Sequence, residues 1–177
     1  MKAIQFGCGG NIFPEPWKNY DLDVDITKPL PFEDQNTDLV YCSHTFEHVS
    51  PPDGFRFLKE CLRILKPGGV LRLSVPSIEQ VHAYKSEEYA AWVKEAGFGD
   101  GTQRGAIEHL ITNHGHLACW STGTLMAAVF AAGFHEVIDC PVGLSGHLDL
   151  CGLEWHGRVI GENNNRIESI CVEGSKR

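Results

Sequence analysis

Short apolar runs separated by turn residues organise the first half of the chain. Ala3 to Phe6, Asp38 to Ser43 and Gly69 to Val75 are each a few residues long and rich in Val, Ile and Leu, the pattern of strands buried on both faces of a parallel sheet. Between the second and third runs, Phe55, Leu58, Leu62 and Leu65 recur at helical spacing. Pro51, Pro52 and Asp53 stand at the entrance of that helix, and Lys66-Pro67-Gly68-Gly69 closes it with a charge, a breaker and two glycines. Strand, helix and strand with short joints predict a right-handed βαβ unit.

Further along, Thr122 to Ala132 reads as a helix capped by Ser121 or Thr122 and stopped by Gly133, with Phe134 to Cys140 as the strand that follows. Ile167, Ser169-Ile170 and Val172 give a final strand after a turn signal at Asn163-Asn164-Asn165. These last two strands predict an antiparallel hairpin closing one edge of the sheet. Tyr20, Leu22, Val24 and Ile26 alternate strictly with Asp21, Asp23 and Asp25. They are either the buried face of one strand with the aspartates in water, or a strand end whose carboxylates accept from ribose hydroxyls. Residues 77–121 break the alternation, with a helix over Ser86 to Ala96, a glycine-rich break at Gly97 to Gly101 and a second helix around Ala106 to Ile111. An insertion of that size predicts a lid or substrate cap, with a peripheral packing element as the alternative.

The chain has 177 residues and 42% hydrophobic positions, enough for one domain spanning 1–177 with a sizeable core and the insertion at about 77–121. Its net charge of −8, with no block of Lys or Arg, disfavours nucleic acid or an anionic membrane surface as partner. No apolar segment approaches the roughly 20 residues that cross a bilayer. Seven cysteines without a CxxC pair or a secretory leader predict reduced thiols, several of them core fillers, in a soluble cytoplasmic protein.

Candidate chemistry lies at the strand ends, where open α/β sheets bind their ligands. After the first run, Gly7-Cys8-Gly9-Gly10-Asn11 places three glycines in four positions, which lets the backbone approach a nucleotide-type cofactor closely. It is neither a P-loop nor a GxGxxG fingerprint, so an NAD-dependent enzyme is disfavoured. The third strand runs into Ser43-His44-Thr45-Phe46-Glu47-His48. His44, nearest the strand end, and His48 are candidate catalytic residues, since histidine removes protons near neutral pH. A capping role for Glu47 or His48 is the alternative. His109, His114 and His116 match no helical two-histidine zinc spacing and no cysteine pair joins them, so no metal site is expected.

Phe6-Gly7-Cys8-Gly9-Gly10-Asn11, Asp25-Ile26-Thr27-Lys28-Pro29-Leu30-Pro31-Phe32, Asp38 to His48 and Leu65-Lys66-Pro67-Gly68-Gly69 together resemble class I S-adenosylmethionine-dependent methyltransferases, in order and spacing, over residues 3–76. His114-Gly115-His116 and the stretch through Ala132-Gly133-Phe134 add a weaker similarity. The resemblance implies a Rossmann-like α/β fold: a mostly parallel sheet of six to seven strands, helices on both faces and an antiparallel C-terminal strand. It implies S-adenosylmethionine as cofactor and S-adenosylhomocysteine as product. Phe6, Gly7, Cys8, Gly9, Gly10 and Asn11 would pass under the methionine part, Asp21 would hold the ribose, Asp25 and Ile26 would meet the adenine, and Ser43 and His44 would close the site near the sulfonium.

Two departures from the family pattern stand out. Gln5 replaces the acid many members carry before the first glycine, and Pro14 and Pro16 fall in the roughly ten residues between Asn11 and Asp21, so the first helix is shortened or missing. The expected activity is methyl transfer to a small-molecule or sugar-like acceptor under the lid. Further acceptor-contact candidates are His114, His116, Trp120, His147, Glu154 and His156. A non-catalytic cofactor-binding or protein-interaction module of the same fold is the alternative.

Overall fold

The computed structural model describes residues 1–177, the side chain of Tyr84 excepted. Six strands, β1 (Ala3–Phe6), β2 (Trp17–Tyr20), β3 (Thr37–Ser43), β4 (Leu65–Pro76), β5 (His135–Cys140) and β6 (Ser169–Ser175), form one sheet in the order β2-β1-β3-β4-β6-β5. All neighbours are parallel except β6, which runs antiparallel between β4 and β5. The helices are α1 (Pro51–Ile64), α2 (Ile78–Tyr84), α3 (Glu87–Glu95), α4 (Gln103–Thr112), α5 (Thr122–Ala131), α6 (Gly157–Ile160) and α7 (Glu162–Glu168). None joins β1 to β2 among the described residues, as Pro14 and Pro16 dictate.

The strand alternation sorts side chains between two faces. Phe6, Val40, Leu71, Leu73 and Val172 pack on one face beneath Phe57, Leu58 and Cys61 of α1 and Leu125 and Val129 of α5. Ala3, Leu39, Tyr41 and Val70 point to the other, where Trp17 and Leu150 cover them. A separate apolar cluster, with Val81, Tyr89, Val93, Ala106, Leu110 and Ile167 among its members, holds α2, α3, α4 and α7 together beyond the strand ends.

Several local expectations are corrected. The buried stripe of α1 is Gly54, Phe57, Leu58, Cys61 and Ile64, with Phe55 39% exposed, because the helix meets both the sheet and α5. Strand β4 begins at Leu65, and a register shift after the Thr37–Leu65 pair carries Lys66–Gly69 past β3. The Tyr20–Ile26 alternation is no strand: β2 ends at Tyr20 and Leu22 is 96% exposed. Here the aspartates turn the backbone, Asp23 accepting from the Asp21 amide at 2.8 Å and Asp25 from the Thr27 amide at 2.9 Å, the local competition with extended structure that short carboxylates offer.

The Asn163–Asn165 triplet lies within α7 rather than a turn. Asn164 donates to the Ile160 carbonyl at 2.7 Å and Asn165 accepts from the Ser169 hydroxyl at 2.8 Å, both buried, so tertiary partners override a turn preference. Helix α2 joins the two helices expected in the insertion.

Ser50 caps α1 by accepting from the Asp53 amide at 3.3 Å and donating to its carboxylate at 2.5 Å. Replacing it with alanine is expected to cost about 1 kcal/mol. Urea unfolding should show a lower midpoint at unchanged slope.

Candidate functional site

The loops that leave the C-terminal ends of β1 and β3 lie side by side. Gly7 takes a φ of +66° and Gly9 a φ of +50°, a region open to glycine without strain. The loop is closed by the Asn11 amide donating to the Cys8 carbonyl at 2.7 Å and tied to β2 by the Cys8 amide donating to Tyr20 at 3.1 Å. A Cβ on Gly7 would stand 1.8 Å from Thr45 Oγ1, whereas nothing lies within 4 Å of one on Gly9 or Gly10. The glycine loop therefore rests on the β3 loop at Gly7 and faces open space at Gly9 and Gly10.

That space is a cavity of about 170 Å³, bounded by Gln5, Gly7–Asn11, Tyr41, Ser43 and the His44–His156 pair. Gln5 is 2% exposed, and its Oε1 has no partner within the protein. A buried acceptor left open costs free energy unless a ligand donor meets it. Asp21 stands just past the end of β2 in solvent. The Cys8–Tyr20 hydrogen bond holds the residue before Asp21 against the loop, and burial first, then the Asp21 charge, pushes the Cys8 thiol pKa up.

His44 follows β3 with a φ of +47°, a left-handed conformation uncommon outside glycine and found at functional sites. Its amide donates to the Ser74 carbonyl at 2.9 Å, and its Nε2 lies 3.0 Å from Ser169 Oγ. The ring stacks on His156 at 3.9 Å. Burial, then the His156 charge, drives its pKa down to about 3, so the ring is neutral at pH 7. His156 Nε2 lies 2.8 Å from Glu168, which also accepts from the Tyr89 hydroxyl. Burial works against the Glu168 carboxylate, but these hydrogen bonds and the two histidines outweigh it and hold its pKa low.

On the far side of the His44–His156 pair lies a second cavity of about 470 Å³, reaching Glu47, His48, Trp92, His109 and His116 under α3 and α4. Glu47 is 1% exposed, and burial pushes its carboxyl pKa up to about 8. Burial, followed by His116, lowers that of His48. A cleft of about 680 Å³ beside Gln80, Asp139 and Arg166 is larger, but it touches neither the glycine loop nor the β3 loop.

The residues singled out from the sequence separate into groups. Gly7, Cys8, Gly9, Gly10, Asn11, Ser43 and His44 line the first cavity, and His44, His48, His114, His116 and His156 line the second. Phe6 and Ile26 put their side chains in the core. Asp25 is occupied by Thr27. Trp120 stacks on Phe46 at 5.2 Å, Glu154 is paired with Arg72, and His147 lies on neither cavity. Glu168 and Tyr89 carry no sequence expectation, and His109 enters the sequence reading only in the metal spacing that was set aside. A carboxylate interrupting the apolar pattern at Ile167-Glu168-Ser169-Ile170 was the one available signal for Glu168.

A family described as a methyltransferase domain matches residues 17–73. A protein of Aspergillus luteorubrus that carries the name "Probable methyltransferase ltbC" is 43% identical over 47 residues, 26% of this chain and 16% of that relative's own length. The fold is similar to that of an S-adenosylmethionine-dependent methyltransferase from Archaeoglobus fulgidus (TM-score 0.59, 17% identity, 99% of this chain and 86% of that one). It is also similar to one from Thermotoga maritima (TM-score 0.57, 18% identity, 99% and 82%).

Proposed function

We propose, from the premise that this chain belongs to the class I S-adenosylmethionine-dependent methyltransferase family, that it transfers a methyl group to a small-molecule or sugar-like acceptor. The observation that carries this reading is the meeting of two cavities at His44 and His156, one on the glycine loop and one under α3 and α4. When bound, S-adenosylmethionine supplies an electrophilic methyl group on a sulfonium and leaves as S-adenosylhomocysteine.

The protein's part is chiefly to hold and align. The Gly7–Asn11 backbone and the unpartnered Gln5 Oε1 fit the amino-acid end of that cofactor, and Asp21 fits its ribose hydroxyls, with the Asp25–Ile26 backbone beside the adenine. Residues 77–121 act as the lid that keeps water from the acceptor cavity. His44, neutral at pH 7, and His48 border the acceptor cavity and are placed to hydrogen-bond an acceptor hydroxyl or amine. No helix is long and apolar enough to cross a membrane among the described residues, and all seven cysteines are free, which suits a cytoplasmic setting.

Calorimetry with S-adenosylhomocysteine tests the cofactor assignment. Asp21→Ala is expected to weaken binding at least about tenfold, roughly 1.4 kcal/mol, and Asp23→Ala to weaken it less. Loss confined to Asp23→Ala overturns the ribose assignment. No heat from the folded wild-type chain with either cofactor form favours the second reading, a non-catalytic binding module, which Gln5 in place of an acid supports.

A further inference from the structure

We propose that Glu47, His48 and His116 bind one divalent transition-metal ion of the zinc class in the wall of the larger cavity. One ligand atom from each lies within 4.8 Å of the other two. His48 Nε2 stands 3.8 Å from Glu47 Oε1, a separation at which the two form no hydrogen bond. Two ligands sharing a tetrahedral zinc at about 2.1 Å are about 3.4 Å apart, so the Glu47–His48 pair needs to close by only a few tenths of an ångström, and His116, within 4.8 Å of both, by about 1.4 Å at most.

The second, independent observation is the state of Glu47. Its side chain is 1% exposed and borders the cavity, and neither carboxylate oxygen has a hydrogen-bond partner from another residue. A buried carboxyl group whose oxygens meet no partner is costly in either protonation state, and a cation that takes the place of its proton satisfies it. A neighbouring set, His44, His156 and Glu168, is equally compact, but its polar groups are already engaged: Glu168 by His156 and Tyr89, and His44 by Ser169. The unsatisfied set is the one that calls for an ion.

The surroundings also prepare His116. Its Nδ1 lies 2.6 Å from the Leu110 carbonyl, to which it can only donate, and that tautomer leaves the Nε2 lone pair free. Backbone carbonyls hold metal-bound histidines in this way. The Leu117 and Ala118 amides both donate to the Glu47 carbonyl, at 2.8 and 3.1 Å, so the segment bearing His116 is fastened to the residue that supplies the carboxylate. Three protein ligands leave a position open toward the cavity. Resting on the methyltransferase reading, that position would take an oxygen of the acceptor and so favours acceptors with a hydroxyl or carboxylate beside the methylated atom. The spacing of His109, His114 and His116 concealed the set because its other two members come from the β3 loop.

Zinc content after dialysis, zinc calorimetry and the visible spectrum of the cobalt(II) form test the site. One zinc per chain is expected, with affinity lowered at least about tenfold in Glu47→Gln and in His116→Ala and unchanged in Glu168→Gln. Glu47→Gln keeps the side-chain shape, so its thermal midpoint without metal should match wild type. The proposal is overturned by a chain that retains no zinc, by binding indifferent to both ligand variants, by loss in Glu168→Gln instead, or by a thiolate charge-transfer band assigning the metal to cysteine. S-adenosylhomocysteine titrated into the same samples separates the two readings, since cofactor binding without zinc sinks only the metal site and zinc without cofactor sinks only the methyltransferase.

Discussion

Arg72→Leu is expected to destabilise the fold by about 3–5 kcal/mol, among the largest losses open to a single substitution in this chain. Arg72 is fully buried on β4, on the face opposite α1 and α5. Its Nε donates to Glu154 and its Nη1 to Glu173 on β6, each at 2.6 Å, and Nη1 also reaches the Leu144 carbonyl at 3.0 Å. Glu154 in turn accepts from the Gly143 amide at 2.9 Å. Removing the guanidinium leaves two buried carboxylates facing each other without a cation, and that uncompensated charge, more than the lost hydrogen bonds, sets the cost.

Arg72→Leu combined with Glu154→Gln and Glu173→Gln should recover much of the loss in urea unfolding. A loss below about 1 kcal/mol for the single variant would show that the three groups are not acting as a buried ion cluster. The cluster also matters for the site. Glu154 immediately precedes Trp155 and His156, so the same variant is expected to weaken S-adenosylhomocysteine binding through the first cavity's wall even where the chain remains folded.

What the sequence made legible is what local chemistry decides. The βαβ unit around α1, the capped α5, the missing first helix and the placing of Ser43–His48 at a strand end all follow from periodicity, proline and short turn signals. What it concealed depends on contacts between distant segments. The three aspartates of Asp21–Asp25 mimic a strand because alternation is blind to carboxylates folding back on their own amides. Asn163–Asn165 read as a turn because the buried partners that make them helical, Ile160 and Ser169, enter only with the tertiary fold.

The site divides along the same line. His44 and His48 were visible at the end of β3, whereas Glu168, Tyr89 and His109 join them only because α3, α4 and α7 converge beyond the sheet. Glu47 was visible as a residue, but its lack of donors was not, since satisfaction of a buried group is a property of everything packed around it.

The glycine loop supplies the second large effect, and it separates folding from cofactor binding. Gly7→Ala is expected to cost more than about 2 kcal/mol, since an L residue in the left-handed region is strained by roughly 1–2 kcal/mol and the new methyl group would overlap Thr45 Oγ1 at 1.8 Å. Relief requires the loop to lift from the β3 loop, which would carry Cys8–Asn11 away from Ser43 and His44 and abolish S-adenosylhomocysteine binding together with stability. Gly10→Ala is the informative companion. It has no positive φ and nothing within 4 Å of its added Cβ, so its thermal midpoint should stay within the range of a neutral surface change, about 0.5 kcal/mol. If the cofactor passes over the loop as proposed, that methyl group occupies the cofactor's own space, and calorimetry should show binding weakened at least about tenfold in a fully stable protein. Undiminished binding by Gly10→Ala would mean that the open face of the loop is not where the cofactor lies.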